Sequence, residues 1–218
     1  MKLKILGIDE AGRGPVIGPL VMCGYMIDED NIPELKKLGV KDSKLLTAKK
    51  RSSMLARLME LSNDMVILKI PAKEIDKTRT ISNLNKMEIE KMQHIINLLN
   101  PDVAKIDALE ANTKKFHAKV ACKIDKRIKL VTENFADRNH IEVGAASIVA
   151  KVHRDDEITK LHEKYGFFGT GYPSDPRTIR FLKDWIEKNK EFPDFVRSSW
   201  ITAQCIKSEK EQTGLKDF

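Results

Sequence analysis

The sequence predicts an α/β fold, in which a mixed sheet is flanked by helices and followed by a C-terminal helical segment. The first observation is a buried apolar strand at residues 3–9, and the second is an alternation of strands and helices from residue 103 to residue 165. The third is the helical pattern of the chain beyond residue 171. Alternating strands and helices are typical of layered folds with some parallel pairing.

Apolar periodicity gives the elements between these landmarks. Residues 18–28 form a second apolar run, and a helix over 47–62 takes Thr47 as its N-cap. The other predicted elements are strand 65–71, helix 83–100, strand 103–107, helix 112–126, strand 128–133, helix 144–165, a helix capped by Ser174 or Asp175, and a helix over 194–212. In helix 83–100 the side chains expected to face inward are Met87, Met92, Ile95, Ile96 and Leu99.

Composition limits the class of protein. The 218 residues, 41% of them hydrophobic, are enough for one sizeable core with an appendage. Because no apolar segment approaches about 18 residues, we expect a cytoplasmic protein. The three cysteines are far apart, so we expect them to be reduced and buried, with no disulfide or zinc site. The formal charge of +7 permits a polyanionic partner without requiring one.

Two adjacent carboxylates, Asp9 and Glu10, close the first strand. Neighbouring side chains on a regular strand point to opposite faces, so both can reach one site only where the strand ends or bends. The following Ala11-Gly12 is expected to supply that break. Paired carboxylates at a strand end suit a hard divalent cation, although a solvated surface pair would have the same sequence.

Two further carboxylates follow predicted strands. Asp107 closes strand 103–107, and Asp137 lies between strand 128–133 and the next helix. In open α/β sheets, sites form at the carboxyl ends of the strands. Four carboxylates at strand ends therefore favour a two-metal site that activates water for attack on a phosphodiester.

The glycine-rich loop that follows Glu10 has two interpretations. The run "GRGPVIG" approximates a dinucleotide-binding fingerprint, but its last glycine comes one position late and the prolines at 15 and 19 disfavour the required helix. Acidic residues before the loop would also repel a pyrophosphate. The alternative is a loop whose bare backbone approaches a sugar or phosphate closely.

Four sequence blocks, in order, resemble type 2 ribonuclease H, the ribonuclease HII family. They are "GIDEAGRGPVIGPLV" at the start, "KDSKLL" (41–46), "AASIVAK" (145–151) and "GYPSDPRT" (171–178). The later "FVRSSWIT" resembles the archaeal branch. The resemblance runs from about residue 5 to residue 202.

The resemblance implies a ribonuclease H-like catalytic domain over residues 1–168 and a helical substrate-binding segment over 169–218. It implies an endonuclease that depends on two Mg²⁺ or Mn²⁺ ions, cleaves the RNA strand of RNA/DNA hybrids, and cuts on the 5′ side of ribonucleotides embedded in DNA, leaving 3′-hydroxyl and 5′-phosphate ends. The implied metal ligands and catalytic residues are Asp9, Glu10, Asp107 and Asp137. The implied substrate-binding residues are Gly12, Arg13, Gly14, Ser43, Lys44, Ser147, Lys151 and Tyr172. Among these, the glycine loop and the tyrosine would recognise the 2′-hydroxyl.

Several alternatives stay open. Residues 138–142 lack the Tyr-Pro pair that the family commonly has after Asp137, so the geometry of this loop is not predicted, and Glu142 is an alternative ligand. A binding module without catalysis and a nucleotide-dependent enzyme are the rival functions. A monomer is expected. The tail "QTGLKDF" loosely resembles a peptide that binds a sliding clamp, so such a clamp is a candidate partner.

Overall fold

The structure is a computed structural model that describes residues 2–40 and 46–214. The strands are β1 (Lys4–Ala11), β2 (Leu20–Asp28), β3 (Asp64–Ile70), β4 (Val103–Asp107) and β5 (Lys129–Glu133). The helices are α1 (Ile32–Leu38), α2 (Ala48–Leu61), α3 (Ala72–Ile81), α4 (Leu84–Leu99), α5 (Thr113–Ala121), α6 (Ala136–Asn139), α7 (Ile141–Tyr165), α8 (Pro176–Lys188) and α9 (Ile201–Gly214). A 3₁₀ turn, Glu29–Asn31, precedes α1.

Local sequence signals placed most of these elements. The Thr47 hydroxyl accepts a hydrogen bond from the Lys50 amide at 3.2 Å, and the Asp175 carboxylate accepts one from the Arg177 amide at 3.0 Å, so both predicted caps are confirmed. Helices α1 and α3 were not predicted, since both are short and rich in charge. The prediction of a helix from residue 194 is wrong, because α9 begins only at Ile201.

The five strands form one mixed sheet in the order β3-β2-β1-β4-β5. Strand β1 is antiparallel to β2 and parallel to β4, and β4 is parallel to β5. The predicted mixed sheet flanked by helices is therefore confirmed. The chain leaves β1 through a loop and enters an antiparallel strand instead of a helix, so the dinucleotide-binding interpretation of the glycine loop is wrong.

The chain divides into two compact units. The first, here called the sheet unit, comprises Met1–Ala11, Val21–Leu68 and Leu84–His153. The second, the helical unit, comprises Gly12–Leu20, Lys69–Asn83 and Arg154–Phe218. The division predicted between residues 168 and 169 concerns function and stays a prediction.

Helices cover both faces of the sheet unit. On one face, Tyr25 and Cys23 of β2 share a buried cluster with the small residues of α7. On the other face, a Cβ at Gly24 would lie 2.3 Å from Ile95 of α4, so the absence of a side chain there lets α4 pack against the sheet. All five inward-facing residues predicted for α4 are buried. The prediction of three buried cysteines holds only for Cys23, because Cys122 and Cys205 are exposed.

The helical unit has its own core. Apolar side chains from the glycine loop, from the end of α7 and from α8 and α9 are buried together. An aromatic cluster adjoins them, in which Trp185 packs against Tyr165, Phe181 and Phe195 with ring centroids 5.8–6.2 Å apart. Within residues 2–40 and 46–214, no helix combines the length and apolarity needed to cross a membrane.

Gly7 fixes the distance between β1 and α7. A Cβ at this position would lie 2.3–2.5 Å from backbone atoms of Glu142 and Val143, which cannot move like the end of a flexible side chain. We expect Gly7→Ala to destabilise the protein by about 3 kcal/mol through overpacking. Chemical denaturation followed by circular dichroism measures the loss.

Gly39→Ala is the matched control for this substitution. Gly39 has a positive φ of 76° but nothing within 4 Å of its Cβ position, so it reports the conformational cost alone, about 1 kcal/mol. Equal losses in the two variants would contradict the packing explanation.

Candidate metal and nucleic-acid site

Asp9 and Glu10 lie inside β1, not at its end. The strand continues to Ala11, and Asp9 pairs with Cys23 while Glu10 pairs with Met22. The expected break at Ala11-Gly12 therefore comes after the pair and not within it. The Glu10 Oε2 is nonetheless buried, so this oxygen is not a solvated surface group.

Asp9 is buried beneath α7. Its side chain is 6% exposed and accepts a 2.8 Å hydrogen bond from the Glu10 amide. Ser147 also hydrogen-bonds the carboxylate, and the Lys151 ammonium donates to the Ser147 hydroxyl. Burial raises the pKa of Asp9 from 3.8 to about 6, against the lowering effects of Ser147, Lys151 and the Glu10 amide, while the Asp107 charge adds to the rise.

Asp107 closes β4 beside Asp9. Ile8 pairs with Ile106 in the parallel ladder, so Asp9 and Asp107 are the next residues of adjacent strands. The Asp107 Oδ1 accepts a 2.9 Å hydrogen bond from the Ala136 amide. That bond connects the end of β4 to α6, in which Asp137 follows directly and is 6% exposed. Asp9 and Asp107 thus lie on adjacent strands, and Asp137 follows β5, at the carboxyl edge where sites form in such sheets.

The segment after Asp137 is held by ion pairs. The Lys105 Nζ lies 2.6 Å from the Glu142 Oε1, and this glutamate side chain is 3% exposed. Two residues earlier, the His140 Nε2 lies 3.3 Å from Glu133, which also accepts a 3.1 Å hydrogen bond from Asn139. Hydrogen bonds from Asn139 and His140 hold the pKa of Glu133 below its usual value. Glu142, the alternative ligand, is therefore engaged with Lys105.

The donor set suits a hard divalent cation. Carboxylate oxygens are the ligands that Mg²⁺ and Mn²⁺ prefer, and a cation would favour the ionised form of Asp9, against the burial and the Asp107 charge that raise its pKa. In the ranges 2–40 and 46–214, however, no three His, Cys, Asp or Glu side chains stand close enough together to hold one ion as they are. The described residues thus provide the oxygen ligands of a metal site, but these side chains are not arranged around one ion.

The glycine loop and Tyr172 come together within the helical unit. Gly12 has a φ of 87°, and a Cβ there would lie 2.7 Å from the Pro19 carbonyl and 2.8 Å from Arg154. The Tyr172 ring lies 3.6 Å from the Cβ position of Gly14. Its other neighbour is Arg154, whose guanidinium carbon is 5.3 Å from the ring centroid.

Arg197 organises this loop and was missed by sequence reasoning. The side chain is fully buried and donates to the carbonyls of Gly12 at 2.6 Å, Arg13 at 2.9 Å and Gly18 at 3.1 Å. The Trp200 indole adds a 3.2 Å bond to the Gly14 carbonyl. The available signal was weak: in "DFVRSSW" the arginine follows two apolar residues, and an arginine is almost never fully buried unless paired.

The remaining predicted site residues fall into two groups. Ser147 has no exposed surface and hydrogen-bonds Asp9, whereas Lys151 is half-buried beside it. Ser43 and Lys44 lie outside the described residues. The predicted roles of these four residues toward a phosphate stay predictions.

Comparison with known proteins shows the family of the chain. The model of the family described as Ribonuclease HII matches residues 6–203. The chain belongs to the ribonuclease HII family. It is therefore a ribonuclease H, an endonuclease that acts on RNA/DNA hybrids.

Individual relatives cover almost the whole chain. The ribonuclease HII of Thermococcus onnurineus (strain NA1) is 42% identical over 226 residues, covering 99% of this chain and 99% of that protein. The crystal structure of the ribonuclease H2 from Pyrococcus horikoshii OT3 superposes with a TM-score of 0.91 at 40% identity, covering 96% and 100%. The structure of a PCNA:RNase HII complex from Archaeoglobus fulgidus gives 0.83 at 38% identity, covering 91% and 95%.

Asp9 should lower the stability of the metal-free protein. Because its pKa is higher in the folded state than the unfolded value of 3.8, the folded state binds the proton more tightly. Stability therefore falls as pH rises from about 4 to about 6, and above that the cost is about 3 kcal/mol. We expect Asp9→Asn, which removes the charge, to raise the Tm by several degrees at pH 7.5 in EDTA, with a gain that disappears near pH 4.

Asp102→Asn is the control for this experiment. Asp102 lies at the start of β4 and accepts a 2.8 Å hydrogen bond from the Lys4 amide, at the opposite edge of the sheet. Differential scanning calorimetry at both pH values compares the variants. A lower Tm for Asp9→Asn than for wild type at pH 7.5 would contradict the cost assigned to this carboxylate.

Proposed function

We propose that this chain is a cytoplasmic, monomeric endonuclease with two activities. It hydrolyses the RNA strand of RNA/DNA hybrids, and it cuts on the 5′ side of single ribonucleotides embedded in duplex DNA. Both leave a 3′-hydroxyl and a 5′-phosphate. The observation that carries the proposal is the placement of Asp9, Asp107 and Asp137 at one edge of the sheet, where burial, and to a smaller extent the Asp107 charge, raises the pKa of Asp9.

Asp9, Glu10, Asp107 and Asp137 would hold two Mg²⁺ or Mn²⁺ ions. When bound, such ions supply an activated water and stabilise the leaving oxygen of a phosphodiester. The protein's own contribution is orientation. Ser147 and the Glu10 amide fix the Asp9 carboxylate, and the Ala136 amide fixes that of Asp107. Because Asp9 must lose its proton to act as a ligand, the affinity for Mg²⁺ is expected to fall as pH drops below about 6, and activity at limiting Mg²⁺ should fall with it.

Recognition of ribose is assigned to the glycine loop and Tyr172. Arg197 and Trp200 bind the carbonyls of residues 12–14, which holds the loop in one conformation. The Tyr172 ring, 39% exposed and packed beside Gly14, offers a surface for a sugar. We assign the loop amides and the tyrosine hydroxyl to the 2′-hydroxyl, the group that separates RNA from DNA. Ser43, Lys44 and Lys151 are proposed to contact phosphates.

A sliding clamp is the proposed protein partner. The support is the Archaeoglobus fulgidus relative, whose structure is a complex with PCNA. The candidate contact in this chain is the tail beyond residue 211, most of which lies outside the described residues.

Cleavage of a DNA duplex with one embedded ribonucleotide tests the function. We expect wild type to cut on its 5′ side, and Asp107→Asn and Asp137→Asn to lower the rate at least about a hundredfold, as loss of electrostatic groups at reacting centres does. Gel analysis of end-labelled duplex with Mg²⁺ or Mn²⁺ gives rate and position.

Asp102→Asn is again the matched control, since it removes one carboxylate from the same strand at the opposite edge. Its rate should stay within about threefold of wild type, the scale of a surface substitution. Full activity in either site variant would remove that residue from the proposal. Binding without cleavage by wild type would leave only the rival function, a binding module.

A further inference from the structure

Phe135 combines two unfavourable features next to the carboxylate edge. It joins β5 to α6, its ring is 58% exposed, and its backbone lies in the left-handed region with φ 62° and ψ 35°. Bulky residues seldom adopt this conformation, which costs them about 1–2 kcal/mol. Exposure of an aromatic ring also forgoes the stabilisation that burial would give.

The left-handed turn positions two neighbouring carboxylates. It directs the chain so that the Ala136 amide meets Asp107 at 2.9 Å and the following Asp137 is buried. Glycine or asparagine would make the same turn with less strain. The backbone conformation alone therefore does not explain why this residue is a phenylalanine, which suggests that the ring itself has a function.

One cationic group lies over the ring. The guanidinium carbon of Arg138, an exposed residue, lies 5.0 Å from the Phe135 ring centroid. An exposed aromatic ring beside an arginine is the combination with which proteins hold nucleic acids, because the ring packs against a nucleoside and the guanidinium meets a phosphate. Both residues lie within two positions of Asp137 along the chain.

We propose that Phe135 contacts the substrate by packing its ring against a nucleoside adjacent to the scissile phosphate, while Arg138 pairs with a phosphate of the same strand. The inference rests on the proposed function and extends it with two substrate contacts. The pair holds the strand at the carboxylate edge without taking part in the chemical step. Loss of either residue should therefore weaken substrate binding and leave the turnover of bound substrate unchanged.

Two measurements test the pair. The first is the Kd for a fluorescently labelled RNA/DNA hybrid by anisotropy in EDTA over a range of salt concentrations. The second is KM and kcat for cleavage of the same hybrid with Mg²⁺. We expect Phe135→Ala to raise Kd and KM about tenfold, within the range of single aromatic stacking contacts, with kcat within about twofold of wild type. Phe135→Tyr, which keeps the ring, should bind like wild type.

Salt dependence separates the two residues. Phe135→Ala removes no charge, so the slope of log Kd against log salt should not change. Arg138→Ala should lower the slope by about one, because one phosphate contact is lost. A change of slope with Phe135→Ala, or none with Arg138→Ala, would overturn the assignment of roles.

Leu98→Ala is the matched control. Leu98 is 60% exposed in the last turn of α4, just before the chain enters β4 at the opposite edge of the sheet. Equal Kd values for Phe135→Ala and Leu98→Ala would overturn the inference, as would a loss in kcat with an unchanged Kd. Failure of wild type to cleave would instead count against the proposed function, and the Kd comparison would still decide the role of the ring.

Discussion

Burial of the Asp9 carboxylate is the constraint on which the rest of the site depends. A charge this far from water requires hydrogen bonds and a nearby cation, and both come from α7 through Ser147 and Lys151. They can do so only if α7 lies unusually close to β1. Gly7, two residues before Asp9 on the same face, leaves the room that the backbone of α7 occupies. The small residues around Ser147 have the same effect, because they add little bulk between helix and sheet.

The helical unit solves a similar problem with the opposite charge. Arg197 is fully buried and donates hydrogen bonds to backbone carbonyls of the glycine loop. A buried guanidinium with such bonds fixes a loop that has little side-chain packing of its own. Each unit therefore contains a buried charged group. Burial of a charge lowers stability, and such a loss is common at functional sites.

The fold was largely predictable because it depends on local signals. Strand β4 has the predicted bounds, and the caps at Thr47 and Asp175 follow from their own side chains. The alternation of strands and helices also placed Asp107 at the end of β4 and Asp137 after β5, whereas Asp9 lies inside β1, where its burial was not predicted. Helix α3 was missed because its sequence, AKEIDKTRTI, has few apolar residues to mark a period.

The contacts that make the site specific are long-range and were not predictable. Arg197 reaches carbonyls about 180 positions earlier in the chain, and no pattern near either segment encodes that pairing. The pairing of Lys105 with Glu142 likewise depends on which strand α7 covers. The regular continuation of β1 through Glu10 was mispredicted because strand pairing with β2, rather than local sequence, decides where β1 ends.

The pKa of Asp9 in the metal-free protein is the decisive measurement of its burial and of its role as a ligand. Carbon-13 NMR of protein labelled at the aspartate carboxyl carbons, with Asp9→Asn to assign the resonance, gives this value in EDTA. We expect a pKa of about 6, raised by burial, that falls when Mg²⁺ is added because a cation favours the ionised form. A value at or below the ordinary 3.8, unchanged by Mg²⁺, would contradict both the burial of this carboxylate and its role as a ligand.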